Sequence, residues 1–315
     1  MAIPTNTFAT GSAIGNREDL TDTIYRIDPT DTPFYSGIER VKATAVLHEW
    51  QTQALAAASN SNFQSEGDDV AADATTATTR LTNRCQISRK AARVSGTQRV
   101  VDHAGRDDEM DYQVMLKGLE LKRDIETTLC GTNQAKASTD PRKIATYLSW
   151  IKTNTDKGTG GTDPTAADGT STRVDGTQRA FTEAQVKNVL QKCYAAGGKP
   201  KIIQTGSFNK QVFSTFTGRG TPTEDQSKQK ITAAVDTYIS DFGTLKVLPD
   251  LFQRSRDVLI YQDDMWAYAT LTGRSMVSFP IAKTGDSDAK AILSEYSLEA
   301  RQEASSGGVF DLTSS

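Results

Sequence analysis

Residues 107–130 read DDEMDYQVMLKGLELKRDIETTLC, and this stretch decides how the rest of the chain is read. Met110, Val114, Leu121, Ile125 and Leu129 follow one another at steps of 4, 7, 4 and 4, which is one continuous apolar stripe at helical spacing. Met115 and Leu119 widen the stripe. Asp107, Asp108 and Glu109 place negative charge in the first turn, where the helix dipole favours it, and Gly131 supplies a C-terminal cap. At about 1.5 Å per residue the helix spans about 36 Å.

Upstream, 45–55 (AVLHEWQTQAL) alternates as a strand, and 56–79 is a low-complexity run of Ala, Ser, Asp and Thr that cannot build a core of its own. Residues 80–101 resume the strand pattern, with Leu81, Cys85, Ile87, Val94 and Val100 among Arg80, Arg84, Arg89, Lys90, Arg93 and Arg99. The spacing predicts one long two-stranded excursion over 45–101 with a soft tip. Before it, 1–46 carry few apolar residues in any period and turn signals at Asp28-Pro29 and Asp31-Thr32-Pro33. They predict an extended arm with a short helix around 17–25.

Downstream, 153–179 hold five glycines and almost nothing apolar, the pattern of a long surface loop and the weakest-ordered internal segment. Thr182 then caps a helix with Gln185 three residues on, Val186, Val189, Leu190 and Cys193 form its buried face, and Gly197-Gly198 stops it. A strand at 201–205, a helix opened by Ser207 and bearing Phe208, Val212, Phe213 and Phe216, and strands at 233–240, 244–248, 258–261 and 266–271 predict a mixed α/β unit. A long alternating strand over 289–304 and the apolar 309–312 close the chain.

The 315 residues allow roughly two compact units at ~150 residues each. Only 37% are hydrophobic counting tyrosine, about 42% with glycine in place of tyrosine, against ~45–50% for ordinary soluble domains. The 41 threonines suit extended backbone, so part of the chain is expected to lean on something else. The net charge of −3 provides no basic field to hold nucleic acid or an anionic membrane. No run approaches ~18 apolar residues, and the first residues have neither the basic nor the apolar region of a signal peptide. Three distant cysteines, Cys85, Cys130 and Cys193, form neither a disulfide framework nor a metal pair. A reducing cytoplasm fits them.

Enzyme chemistry has no foothold in this pattern. His48 and His103 have no carboxylate or cysteine at ligand spacing, and both read as structural. Asp241-Phe242-Gly243 lacks every companion of the kinase magnesium triplet and reads as a turn between strands. The adjacent carboxylates Asp68-Asp69 and Asp263-Asp264 would point to opposite faces of extended backbone. No catalytic, cofactor-binding or metal-ligating residue is assigned. One charge feature stands out: 66–79 hold Glu66, Asp68, Asp69 and Asp73 with no basic residue, whereas 80–106 hold seven basic residues against Asp102. The two signs would meet between subunits, where complementary charge sets partner choice. The blander alternative is a solvated hairpin.

The order of parts (extended arm, long two-stranded loop, long helix, mixed α/β unit, closing strand) resembles the major capsid protein of tailed bacteriophages, with the Hong Kong ninety-seven-type fold. More narrowly it resembles the short-tailed-phage capsid group. Asp31-Thr32-Pro33-Phe34 leads to Ile38 and then to His48-Glu49-Trp50-Gln51, and Glu295-Tyr296-Ser297-Leu298-Glu299 precedes Gly307-Gly308-Val309. The resemblance implies the α+β class, with an N-terminal arm at 1–46, an extended loop at 47–90, a peripheral domain from 91–135 and 285–315 whose spine is 107–130, and an axial domain at 136–284. It implies a non-enzymatic protein without cofactors. The partners would be copies of itself in hexamers and pentamers of an icosahedral shell around double-stranded DNA. Portal, scaffold and decoration proteins are further partner classes, contact with packaged DNA would be at most weak and non-specific, and no membrane is involved. The location would be the virion, after assembly in the bacterial host cytoplasm. The interface candidates are Trp50, Glu66, Asp68, Asp69, Arg84, Arg89 and Arg93. The alternative is a surface-layer or tail-associated lattice protein.

Overall fold

The computed structural model describes residues 29–67, 69, 72–101, 105–216 and 236–314. Pro33, with a backbone angle suited to a first helical turn, opens the short helix α1 (Pro33–Gly37), on which Phe34 and Tyr35 are buried. Strands β1 (Glu39–Ala43), β2 (Leu47–Thr52), β3 (Thr79–Arg84) and β4 (Gln86–Ser95), then the single turn α2 (Gly96–Val100), lead to the long helix α3 (Glu109–Cys130). Asp108 caps α3 by accepting from the Met110 N–H, and the Gly131 N–H closes it onto the Thr127 carbonyl. There follow α4 (Tyr147–Trp150), β5 (Thr155–Asp156), α5 (Glu183–Ala195), β6 (Ile202–Thr205), α6 (Ser207–Ser214), β7 (Thr237–Ser240), β8 (Gly243–Pro249), β9 (Val258–Tyr261), β10 (Trp266–Leu271), β11 (Val277–Ile281), β12 (Ser287–Ala300) and β13 (Gly307–Val309). The Thr182–Gln185 capping box opens α5, and its four predicted apolar residues are all buried.

Two sheets organise these elements. In the first, β12 pairs with β4 along one edge and with β11 and then β10 along the other, and β1 joins β10 in parallel. The long helix lies on this sheet: Lys90 of β4 meets Asp124 at 2.8 Å and Lys290 of β12 meets Asp111 at 3.0 Å. The second sheet runs β5-β13-β9-β6-β8-β7. One of its faces packs Ile203, Val247, Val258, Ile260 and Val309 against α5 and α6. Its other face turns Ile202, Leu259 and Tyr261 towards α1, α4 and the C-terminal half of α3. Phe34 sits where the sheets meet, its ring edge-on to Tyr261 (5.1 Å) of the second sheet and Trp266 (6.2 Å) of the first.

Several expectations are corrected. Within the 1–46 region implied as an arm, α1 buries Phe34 and Tyr35 and β1 pairs with β10 at the edge of the first sheet; the helix expected at 17–25 lies outside the described residues. The excursion over 45–101 divides at Cys85, which is fully buried and donates its N–H to the Val46 carbonyl. Only β2 and β3 form the ribbon, and β4 turns into the first sheet. Met115 is 48% exposed, whereas Leu121, Ile125 and Leu129 in the C-terminal half of α3 are fully buried in the core that α1 and α4 also line. Strands β10 and β11 fall within the 136–284 region that the resemblance implies as axial and pair in the first sheet with β12, and β13, within 285–315, pairs in the second. The edge strand β11 escaped notice since it contains Pro280 and is exposed throughout.

The glycine-rich stretch 153–179 is the largest correction. Asp311, buried and at φ +62°, accepts from the Gly158 and Gly176 N–H groups (3.0 and 2.9 Å) and from Arg256 (2.9 Å). Arg173 is buried with its guanidinium 3.4 Å above the Phe310 ring. Polar side chains from the chain's end thus close the loop that apolar residues do not. Gly158 is required there, since an added Cβ would stand 2.1 Å from the Thr177 carbonyl oxygen.

Phe34→Ala is expected to lower the unfolding free energy of the isolated subunit by about 3–5 kcal/mol, read by urea denaturation, whereas Met115→Ala should change it by well under 1 kcal/mol.

Candidate assembly interface

The ribbon of β2 and β3 pairs from Leu47↔Arg84 to Thr52↔Thr79. Beyond it the described residues of 53–78 form no strand and are exposed, Leu55 to 97% and Phe63 to 79%. Its root is tied firmly to β12 and α4. Asn83 is fully buried and donates to the carbonyls of Ala145 (3.1 Å) and Leu298 (2.7 Å) while accepting from the Ala145 N–H (2.9 Å). Trp50 donates its indole N–H to the Ala300 carbonyl (3.0 Å), and its ring lies 5.6 Å from that of Trp150. His48 Nε2 lies 2.9 Å from Glu299. Burial alone would raise the Glu299 carboxyl, but the bonds from His48 and Arg301 outweigh it and hold it below its ordinary value. Lys136 donates to the Thr82 carbonyl (2.7 Å), and burial lowers its ammonium.

Glu66, Asp69 and Asp73 on the tip are exposed; Asp68 lies outside the described residues. The basic residues of 80–106 divide sharply. Arg80 reaches Glu49 (3.7 Å), Lys90 reaches Asp124, Arg99 bridges Asp108 (2.9 Å) and Asp288 (2.7 Å), and Arg106 pairs with Glu109. Arg84, Arg89 and Arg93 have no carboxylate within salt-bridge distance among the described residues. Since Lys90 points to α3, strand alternation puts Arg89 and Arg93 on the sheet's opposite face. The register places Val277, Phe279 and Ile281 of β11 on that same face, each a little over one-third exposed. Six of the seven predicted interface residues are thus located. Glu66, Asp69, Arg89 and Arg93 are exposed and Arg84 is half-buried, whereas Trp50 fixes the ribbon to the body.

The remaining chemistry is structural in character. All three cysteines are buried, and burial raises the Cys85 thiol to about 11 and the Cys193 thiol to about 12, far from a nucleophile's range. Asp241 and Phe242 form the turn between β7 and β8. Asp263 and Asp264, expected on opposite faces, lie on a short turn and both face Lys201 (3.3 and 3.6 Å).

Sequence reading missed one site. Glu126, on the buried side of α3, accepts from the Phe34 and Tyr35 N–H groups at 2.7 Å each. Asp250 accepts from Gln204 (2.7 Å), Cys130 (3.4 Å) and the Phe252 N–H (2.8 Å). The ligand atoms of Glu126, Cys130 and Asp250 lie within 4.8 Å of one another. Every carboxylate oxygen already accepts a hydrogen bond, so the trio is satisfied without a metal ion. Two charges at that separation would repel by roughly 3–4 kcal/mol at an effective dielectric of ~20. Burial first, and then Asp250, raise the Glu126 carboxyl to about 8, and burial raises Asp250 as well. The only sequence signal was a glutamate one position past Ile125 in the helical stripe.

An arm-side helix, a projecting ribbon, a long helix on a sheet and a second helix-covered sheet together define the capsid subunit of a tailed phage. Comparison with known proteins agrees. The model of the family described as SU10 major capsid protein matches residues 3–313, and the chain belongs to that family. The major capsid protein of Escherichia phage Phieco32 is 24% identical over 354 aligned positions, covering 98% of both chains. The capsid structure of cyanophage A-1(L) superposes with a TM-score of 0.64 at 13% identity over 97% of this chain and 98% of that one. The phage G capsid and decoration protein structure gives 0.58 at 10% identity over 96% and 100%. The protein is a major capsid protein and part of the virion, which displaces the surface-layer and tail-lattice alternative.

Asn83→Ala strips partners from two carbonyls and from the N–H groups of Ala145 and Arg84, and is expected to cost about 2–3 kcal/mol of stability; Trp50→Phe, losing one hydrogen bond, should cost about 1 kcal/mol. Urea unfolding monitored by circular dichroism checks both.

Proposed function

We propose that the tip of one copy's ribbon docks by charge on the α3-free face of the first sheet of a neighbouring copy, with Glu66, Asp68 and Asp69 opposite Arg84, Arg89 and Arg93. The observation that carries this reading is the division of the basic residues: four are neutralised within the chain, and the three left without carboxylates are those facing outward around the ribbon root and along β4. Each exposed pair contributes ~0–1 kcal/mol, so the effect is register and partner choice multiplied over a closed lattice.

In this reading the copies close as hexamers and pentamers into an icosahedral shell around double-stranded DNA, assembled in the host cytoplasm and without a catalytic step. The arm, ribbon, peripheral and axial regions are the working parts of that lattice. Portal and scaffold proteins are partner classes, and a decoration protein has a counterpart in the phage G assembly. A near-neutral wall suits weak, non-specific contact with packaged DNA.

Three pairs at ~0.5 kcal/mol each correspond to roughly tenfold in the pairwise association constant. Reversing Glu66, Asp68 and Asp69 to lysine should therefore lower particle yield steeply by light scattering and negative-stain microscopy, with monomer circular dichroism unchanged. Combining that change with Arg84→Glu, Arg89→Glu and Arg93→Glu should restore part of the yield. Undiminished assembly of the reversed tip would remove the charge-docking proposal.

A further inference from the structure

The buried carboxyl pair joins three parts of the fold at one point. Glu126 stands on α3, its two oxygens hold the first N–H groups of α1, and Asp250 follows β8 in the second sheet. Helix α1 is the first element of the described residues. We propose that Glu126 and Asp250 form a proton-operated latch, in which one shared proton keeps α1 seated on α3 and the second sheet, and loss of that proton loosens α1.

The surroundings make the pair sensitive to its own charge. Cys130 faces it from α3, Gln204 from β6 and Tyr261, bonded to Gln204 at 2.9 Å, from β9; α1 contributes backbone N–H groups only. Arg123 of α3 stacks on Phe252 at 5.2 Å and forms no ion pair with either carboxylate. No lysine, arginine or histidine lies within salt-bridge distance of either acid among the described residues. With one proton between them the acids carry a single negative charge, which the N–H donors can hold. When a solvent base takes the proton, the O–H bond breaks, its electron pair stays on the carboxylate, and two buried negative charges face each other. Separation of Glu126 from Asp250 relieves the repulsion, and it withdraws the acceptors of Phe34 and Tyr35.

The sign of the pH dependence follows. The folded chain keeps this proton at pH values where an unfolded glutamate has released it, so stability at this joint is full below about pH 4.5 and is withdrawn as pH rises through about 8. One pH unit beyond that value the ionised form dominates by about tenfold.

Hydrogen exchange of the full-length subunit, corrected for intrinsic rates, tests the latch between pH 6 and pH 9. The expected result is roughly a hundredfold loss of protection in peptides spanning 29–38, with peptides from α5 unchanged, and a clearly weaker pH response at 29–38 in Asp250→Asn, whose amide can donate to Glu126 once it ionises. Protection at 29–38 that stays constant in the wild type overturns the proposal, as does an equal loss in α5, which would mark global unfolding. A folded Asp250→Asn that keeps the wild-type response overturns it too; the comparison of 29–38 with α5 needs no variant. None of these outcomes depends on how the ribbon tip docks.

Discussion

The 14 residues of β12 are paired along both edges, with β4 on one and with β11 and β10 in succession on the other, and nearly every part that points outward takes its position from them. Its last eight residues are buried on both faces, so the strand cannot slip by one position without sending Glu295 and Glu299 to the opposite faces of the sheet. The same residues present the groups that hold the ribbon root: the Leu298 carbonyl takes Asn83, the Ala300 carbonyl takes Trp50, and Glu299 takes His48. Its first half meets α3 through Lys290. The direction of the ribbon and the seat of the helix are therefore set by one register. A shell subunit needs this, because small angular errors in a projecting part would accumulate around a closed lattice.

Charge is distributed by the same logic. Glu295, almost fully buried, is held between Arg142 (2.9 Å) and Arg274 (2.7 Å), and Lys90, Lys290 and Arg99 clamp α3 and its cap to the sheet. Breaking such half-buried pairs leaves a charge without compensation, so these residues are tied to the fold. Arg84, Arg89 and Arg93 are not, and they can change without disturbing the body. The division between structural and available charge follows strand alternation: on β4, Lys90 faces the helix, and Arg89 and Arg93, one and three positions away, face the other side.

How much of this was legible in the sequence depends on what each signal measures. The stripe of α3 and the capping box of α5 are local properties of helical spacing, and both elements lie where the spacing predicts, α3 beginning two residues late because Asp108 is its cap. The ribbon was visible as alternation, but its end at Cys85 was not. Alternation continues unbroken through that residue, and only the burial of Asn83 and Cys85 reveals that the partner changes from β2 to β12. Seven basic residues in 80–106 looked equivalent because ion pairs such as Arg99 with Asp288 span 189 positions. Glu126 and Asp250 are 124 positions apart and belong to no motif, so a carboxyl pair made by packing had no counterpart in spacing.

The shortage of apolar residues has two physical solutions in one chain. In 153–179 the deficit is met internally: Asp311 gathers two glycine N–H groups and an arginine, and Arg173 lies buried on Phe310, its guanidinium lowered by burial. A composition that predicts disorder is thereby ordered by hydrogen bonds and charge from the distant C-terminal segment, which composition cannot register. In 53–78 no such partner exists within the described residues, and Leu55 and Phe63 remain on the surface. Both segments are poor in large apolar residues, so hydrophobicity does not separate them. What separates them is whether the chain returns to cover them: the segment after β12 runs past 153–179 and adds β13 beside β5, while among the described residues no segment returns to the ribbon tip. Leu55 and Phe63 are left exposed on the subunit surface.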